Sequence, residues 1–255
     1  MKVFLDSGAF SASKGGSPID IDSYMDYIEA HSELIDVYAN LDVIGDAEKT
    51  WENQQIMEDA GFAPLPVFHL EDEFPKYLMR CFNYPYFCLG GMAGETEPAR
   101  IRFFTKSWEL ICDTPDHMPR CKVHGFGLNA PSLVRRFPWY SVDSSSWVYY
   151  SRLGIVIMPH ILNGTFRYDK PPRSLHISSR KDPAGCKEWE HIKLLSELEL
   201  KFVESYIHDC GTTVEKLSED YRQRDRMNLI YFMDMCESMP SYPWAYTEKR
   251  ASLFR

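Results

Sequence analysis

At 255 residues, 44% apolar and 14% aromatic, the chain is long enough to bury a substantial core and is not a low-complexity or disordered protein. No apolar run approaches the ~20 residues that cross a bilayer. The start also meets Asp6 too early for a secretory signal, so a soluble cytoplasmic protein with no membrane partner is expected. The net charge of −9 would disfavour a nucleic-acid partner, but residues 17–73 hold fifteen acids against one lysine and leave residues 74–255 at +4.

Strand-like and helix-like segments alternate from the start. A strand over 3–5 runs into Asp6-Ser7-Gly8-Ala9-Phe10, where Ser7 and Gly8 permit a tight turn and Phe10 can stack on a planar ligand. Asp6 itself is either a reactive carboxylate or a turn or cap residue. A helix over 19–31 follows Ser17-Pro18, and a strand over 37–43 leads to Asp42 and Asp46. Asp42 is the better candidate for accepting N–H donors of a purine, whereas Asp46 suits the cap of the next helix, 48–60. The strand at 65–70 carries His69, either a satisfied core group or a ligand contact, and precedes a helix over 73–82.

The strand at 86–89 ends on Gly90-Gly91, whose missing Cβ atoms let backbone amides approach a carbonyl. After a helix over 98–112, the strand at 122–126 carries His124 in His124-Gly125-Phe126-Gly127. A helix over 130–136 precedes the strand at 139–142, which ends on Asp143-Ser144-Ser145-Ser146-Trp147. Asp143 is either an Asx-turn residue or a carboxylate aimed at a sugar carbon. A seventh strand occupies 154–158. Strands separated by helices predict βαβ units and a parallel sheet, and about 250 residues suits a (β/α)-type barrel. Reactive groups gather at the C-terminal strand ends of such sheets. Two carboxylates on one rim, Asp6 and Asp143, are the equipment of glycosidic-bond chemistry.

Beyond residue 158 the composition turns Pro-, Gly-, Ser- and Arg-rich, which reads as a long loop or insertion over 159–186. Residues 161–181 hold Arg167, Lys170, Arg173, Arg180 and Lys181 against Asp169, a cluster able to neutralise phosphates or simply a solvated loop. With Arg135 and Arg136, the residues Arg173, Arg180 and Lys181 are the candidate backbone contacts to nucleic acid. Helices are predicted over 187–208, 214–223 and 226–237, making 187–255 a helical C-terminal portion of a single domain spanning 1–255. The seven cysteines form no CxxC or CxC pair, which predicts reduced thiols and no zinc or iron–sulfur site. No metal or cofactor is expected.

Taken in order, these motifs resemble the tRNA-guanine transglycosylases. Asp6-Ser7-Gly8-Ala9-Phe10 resembles their Asp-Ser-Gly-Gly-aromatic motif, Leu89-Gly90-Gly91 their Gly-Gly strand end, and His124-Gly125-Phe126-Gly127 their Gly-x-Gly strand end. Val142-Asp143-Ser144 resembles the dipeptide that carries their nucleophile. The resemblance implies a TIM-like (β/α)-barrel with an atypical or incomplete first strand and added C-terminal helices. It implies a pentosyltransferase in which Asp143 attacks C1′ of a guanosine nucleotide and a 7-deazaguanine such as preQ0 replaces guanine. Asp6 would serve as general acid and base, Asp42 would read the base N–H edge, Gly90 and Gly91 its carbonyl, and Phe10 would stack. His69 stands where the family tends to carry a base-reading glutamine. The zinc motif of the family's tRNA enzymes has no counterpart here, and the chain is shorter. It is in this respect more similar to the compact phage-encoded DpdA-like DNA deazaguanine transglycosylases, which protect DNA from restriction in the host cytoplasm. The alternatives are the same exchange on tRNA, a non-catalytic partner subunit, or a nucleotide or glycoside hydrolase on the same barrel.

Overall fold

A computed structural model describes residues 3–70, 72–91, 94–187 and 189–247, without the side chain of Ser13. They make a mixed α/β protein with two compact units. Among the described residues no helix is long and apolar enough to cross a membrane.

The first unit runs to Gly127 and takes in Phe137–Asp143 and the chain from Tyr242. It alternates β1 (Val3–Leu5), α1 (Ala9–Ser13), α2 (Ile21–Ala30), β2 (Ile35–Tyr38), α3 (Ala47–Asp59) and β3 (Val67–His69). Then come α4 (Lys76–Cys81), β4 (Tyr86–Gly90), α5 (Glu97–Ile111), β5 (Lys122–Gly125) and β6 (Ser141–Val142). Helix starts follow side-chain caps. Asp20 accepts the Ser23 N–H at 2.9 Å and so starts α2 two residues later than Ser17-Pro18 suggests, and Asp46 accepts the Lys49 N–H at 2.9 Å to start α3 as expected.

Strand β2 is shorter than its apolar run because α3 captures the chain behind it. The Asn40 amide donates to Thr50 O at 2.7 Å, Val43 N–H donates to Thr50 Oγ1 at 2.9 Å, and Asn53 donates to Leu41 O at 2.7 Å. Asn40 N–H still bonds Leu65 O beside the bridge and Asp42 N–H bonds Asn40 O, while α3 side chains take up Leu41 O and Val43 N–H as the chain leaves the sheet. This bend carries Asp42 onto the rim.

Every pairing in this unit is parallel. β1 pairs with β2, β3 through β6 form one four-stranded sheet, and an Ala39–Leu65 bridge links the two groups in chain order. Register aligns Val67, Cys88, His124 and Ser141 in one row across the sheet. Side chains alternate faces, so His69, Gly90, Phe126 and Asp143 continue the same face one step further along. The opposite face buries Phe68, Phe87 and Leu89, with the Phe68 ring against Phe103 of α5 at 5.7 Å.

The sheet curls strongly. A flat sheet would hold β1 and β5 about 19 Å apart, at ~4.8 Å per strand. Yet the Phe4 ring of β1 stacks on His124 of β5, with centroids 4.1 Å apart and planes at 15°. Among the described residues no strand pairing joins β6 back to β1.

The second unit comprises Leu128–Arg136 and Ser144–Ser241. It holds α6 (Pro131–Val134), α7 (Ser146–Arg152), β7 (Ile155–Met158), β8 (His160–Leu162), β9 (Thr165–Arg167) and β10 (Arg173–His176). A 3-10 turn (Ile192–Leu194) precedes α8 (Glu197–Asp209), α9 (Val214–Glu219) and α10 (Tyr221–Glu237). β7 pairs antiparallel with β10, and its remaining edge is closed by buried Asn228, which bonds Ile157 N and Ile155 O. Val156, Met158, Leu175, Val203, Ile207 and Met227 fill the core.

Residues 159–186 are thus no continuous loop. β8 and β9 form a hairpin around Asn163-Gly164, both at positive φ (51° and 74°). Such an Asn-Gly pair matches the twist of its strands, and its local geometry outweighs the loop-like composition around it. The helix expected over 187–208 begins only at Glu197, because Ser196 and Glu199 form a reciprocal capping box there.

Candidate active site

The inward face of the curled sheet collects Asp6, His69, Gly90, His124 and Asp143 near its C-terminal strand ends. Asp6 follows β1 with its carboxylate reached by solvent. Even so its pKa is raised, first by desolvation in the concavity and then by the charges of Asp42 and Asp143. The Ser7 N–H and the neighbouring His124 work in the other direction. Asp6 and Asp143, far apart in sequence, therefore lie close enough for the charge of one to alter the ionisation of the other.

Asp143 sits just beyond β6 and is 47% exposed. Its Oδ1 accepts the Gly127 N–H at 2.9 Å and lies 3.4 Å from His124 Nε2. Its Oδ2 has no hydrogen-bond partner among the described residues. The carboxylate is held across the sheet by one oxygen and is not folded into a local Asx-turn. Its other oxygen is free to act on a ligand.

Behind Asp143 runs a chain of polar groups, partly buried at Tyr86 and Ser141 and fully buried at His124. Tyr86 Oη is 2.5 Å from Ser141 Oγ, and Ser141 Oγ is 2.6 Å from His124 Nδ1. One proton assignment satisfies every link: Tyr86 donates to Ser141, Ser141 donates to Nδ1, and Nε2 keeps its proton on the side of Asp143. Burial pushes the Tyr86 phenol up to about 12. Neither Tyr86 nor Ser141 is among the residues that sequence motifs single out. Ser141 stands two positions before Asp143 on a strand, so period-two alternation alone puts both on one face.

A second network fixes the neighbouring wall. Buried Ser7 donates to Asp42 Oδ1 at 2.6 Å, and His69 Nε2 donates to Asp42 Oδ2 at 2.9 Å. The His69 main-chain N–H is held by Asp72 Oδ2 at 2.7 Å. Asp42 thus ties the ends of β1 and β3 together and also lines a pocket of 440 Å³ with Ala9, Leu41, Val43 and Asn53. That volume falls in the range of small-ligand sites, although neither Asp6 nor Asp143 lines it.

Gly90 has a packing explanation. A Cβ there would meet His69 Cδ2 at 3.0 Å, Phe126 Cδ2 at 3.3 Å and His69 Nε2 at 3.4 Å, so the glycine leaves room for the His69 ring. Gly91 follows at φ 77°. Phe10 lies on α1, 47% exposed, with the Lys14 ammonium 5.5 Å from its ring centroid.

The basic candidates all belong to the second unit and divide by occupation. Arg135 donates to Ser238 Oγ at 2.8 Å and Ser238 O at 3.2 Å, tying α6 to the end of α10, and Arg136 beside it is partly buried. Arg173 on β10 pairs with Glu199 at 3.5 Å. Arg180 and Lys181 are exposed and line one pocket together. All seven cysteines are free thiols, five of them buried. Among the described residues no group of three or more His, Cys, Asp or Glu side chains is placed to hold a metal. No protein-family model and no curated protein matches the chain.

Proposed function

We propose that the chain is a guanine transglycosylase that exchanges guanine in DNA for a 7-deazaguanine of the preQ0 type. The observation that carries this reading is the gathering of two carboxylates on one sheet face: Asp143, held by Gly127 N–H beside His124, and Asp6, which follows β1, whose Phe4 ring stacks on that same His124. Asp143 Oδ2 attacks C1′ of the target nucleotide, the C1′–N9 bond breaks, and Asp6 supplies the proton that the departing guanine needs. The incoming 7-deazaguanine returns a proton to Asp6, and its ring nitrogen displaces Asp143 from C1′. Gly127 N–H and His124 position the nucleophile. Ser7 and His69 hold Asp42 beside the base site, while Gly91 and Phe10 border it.

A TIM-like (β/α)-barrel is the fold we infer for this chemistry. The chain-order parallel strands β1–β6 and the contact of Phe4 with His124 support it. Duplex DNA would require extrusion of the target base. Arg180 and Lys181 are the cations best suited to its phosphates, because neither is held in an ion pair among the described residues.

The test is incubation of the protein with preQ0 and either duplex DNA or tRNA, followed by nucleoside mass spectrometry. Deazaguanosine in DNA alone is the expected result. Incorporation into tRNA alone would move the substrate. Release of free guanine with no incorporation would make the protein a hydrolase.

A further inference from the structure

A pocket of 580 Å³ opens in the second unit where the end of α7, the segment after β10 and the start of α10 meet. Arg152, Arg180, Lys181 and Arg224 line it against a single carboxylate, Glu219, with Ser178 and Tyr221 completing the wall. Among the described residues none of the four cations lies within 4.0 Å of a carboxylate oxygen. The four cations thus share the pocket with no carboxylate in direct ion-pair contact among the described residues.

Arg224 makes this more than a charged surface. It is 6% exposed, and its guanidinium is oriented by two main-chain carbonyls: Nε donates to Ser151 O at 2.7 Å and Nη1 to Leu217 O at 2.5 Å. Nη2 makes no hydrogen bond among the described residues. The guanidinium is buried between neutral carbonyls, with Asp220, Asp225 and Glu219 acting on it only from beyond ion-pair distance, so the unused Nη2 donors are left for a ligand. Burial lowers its pKa and the Arg180 charge adds to this, while Asp220, Asp225 and Glu219 act in the opposite direction. The start of α10, a helix of seventeen residues, adds its partial positive charge to the same pocket.

We propose that this pocket is a phosphate-binding site in which Arg224 forms the fixed base and Arg152, Arg180 and Lys181 close on the anion. Guanidinium groups bind phosphoryl oxygens through paired N–H donors, and an ammonium contributes a point charge. Such a group has two sources, the backbone of a nucleic-acid strand and the phosphate of a free nucleotide. The anion chemistry stands without the Asp143 assignment; only the backbone source draws on the transglycosylase reading.

The experiment measures binding of a short labelled DNA duplex over a salt series, and of guanosine 5′-monophosphate against guanosine. Wild type is compared with R180Q/K181Q and with R152Q, whose exposed positions spare the fold. Native-like circular dichroism and thermal unfolding serve as controls. If the backbone is the source, R180Q/K181Q weakens duplex binding by about tenfold or more and lowers the salt slope by about two, with R152Q showing a smaller loss. If a free nucleotide is the source, the preference of wild type for the monophosphate over the nucleoside collapses in the variants while duplex binding stays constant. Unchanged duplex binding together with an unchanged monophosphate preference would overturn the proposal. A salt-slope shift in a protein that shows no base exchange would uphold the phosphate site and remove the transglycosylase reading alone.

Discussion

Replacing Gly90 with alanine tests how the site is braced. The new methyl carbon would sit 3.0 Å from His69 Cδ2 and 3.4 Å from His69 Nε2, the atom that donates to Asp42 at 2.9 Å. The ring is buried and bounded by Phe126, whose Cδ2 lies 3.3 Å from the same methyl, so it must move by a few tenths of an ångström. Overpacking of this kind costs about 1–3 kcal/mol, and the alanine regains about 0.4–1 kcal/mol through the unfolded chain. The net expectation is a loss of about 1–2 kcal/mol in urea unfolding, with weaker binding of the base. His69→Asn keeps an amide near Asp42 but removes the ring atoms over Gly90, so in that background Gly90→Ala should cost less than about 1 kcal/mol. A double-mutant cycle that is additive within about 0.5 kcal/mol would refute the argument, because glycine would then be needed for some other reason.

Further outcomes follow from the same geometry. Asp6 has a raised folded-state pKa, so the folded protein binds more protons than the unfolded chain as pH rises past the ordinary carboxylate range, and stability falls through that window. Asp6→Asn should therefore abolish exchange yet stabilise the fold near neutral pH by at most about 1 kcal/mol, the exposed carboxylate being screened; that gain should vanish in acid, as pH-dependent melting will show. Ser141→Ala removes the link between Tyr86 and His124 and should cost about 1–3 kcal/mol and lower single-turnover exchange about tenfold with a changed pH profile, whereas Tyr86→Phe should change exchange less. Arg135→Ala should cost about 1 kcal/mol by freeing Ser238 while leaving the salt slope of duplex binding unchanged; a lower slope would make Arg135 a phosphate contact.

The rim residues are legible in the sequence because each ends or follows a short apolar strand in a βα alternation, with His124 one row further back inside its strand. Parallel pairing then carries Asp6, His69, Gly90, His124 and Asp143 to a common edge whatever lies between them. Their partners are less visible. Ser141 carries no motif, and only its two-residue offset from Asp143 hints at a shared face. The role of Gly90 depends on which ring leans over it from the neighbouring strand, which is a matter of register. Asn163-Gly164 is a strong local turn signal hidden in a Pro- and Arg-rich stretch, and its hairpin needs the flanking strands to be recognised with it. Arg224 reads as one more solvated charge beside Arg222 and Arg226, and only the packing of α7 and α9 around it buries the guanidinium.

The claim on which the account depends is that Asp143 bonds covalently to the sugar during exchange. Labelled DNA incubated with the protein, quenched in denaturant before the incoming base is added and run on a denaturing gel, reads this directly. Wild type should give a shifted band that disappears when preQ0 is supplied, and Asp143→Asn should give no band and lose exchange by at least about 10³-fold while still binding the duplex. An adduct of equal yield in Asp143→Asn, or full exchange by that variant, would contradict the account.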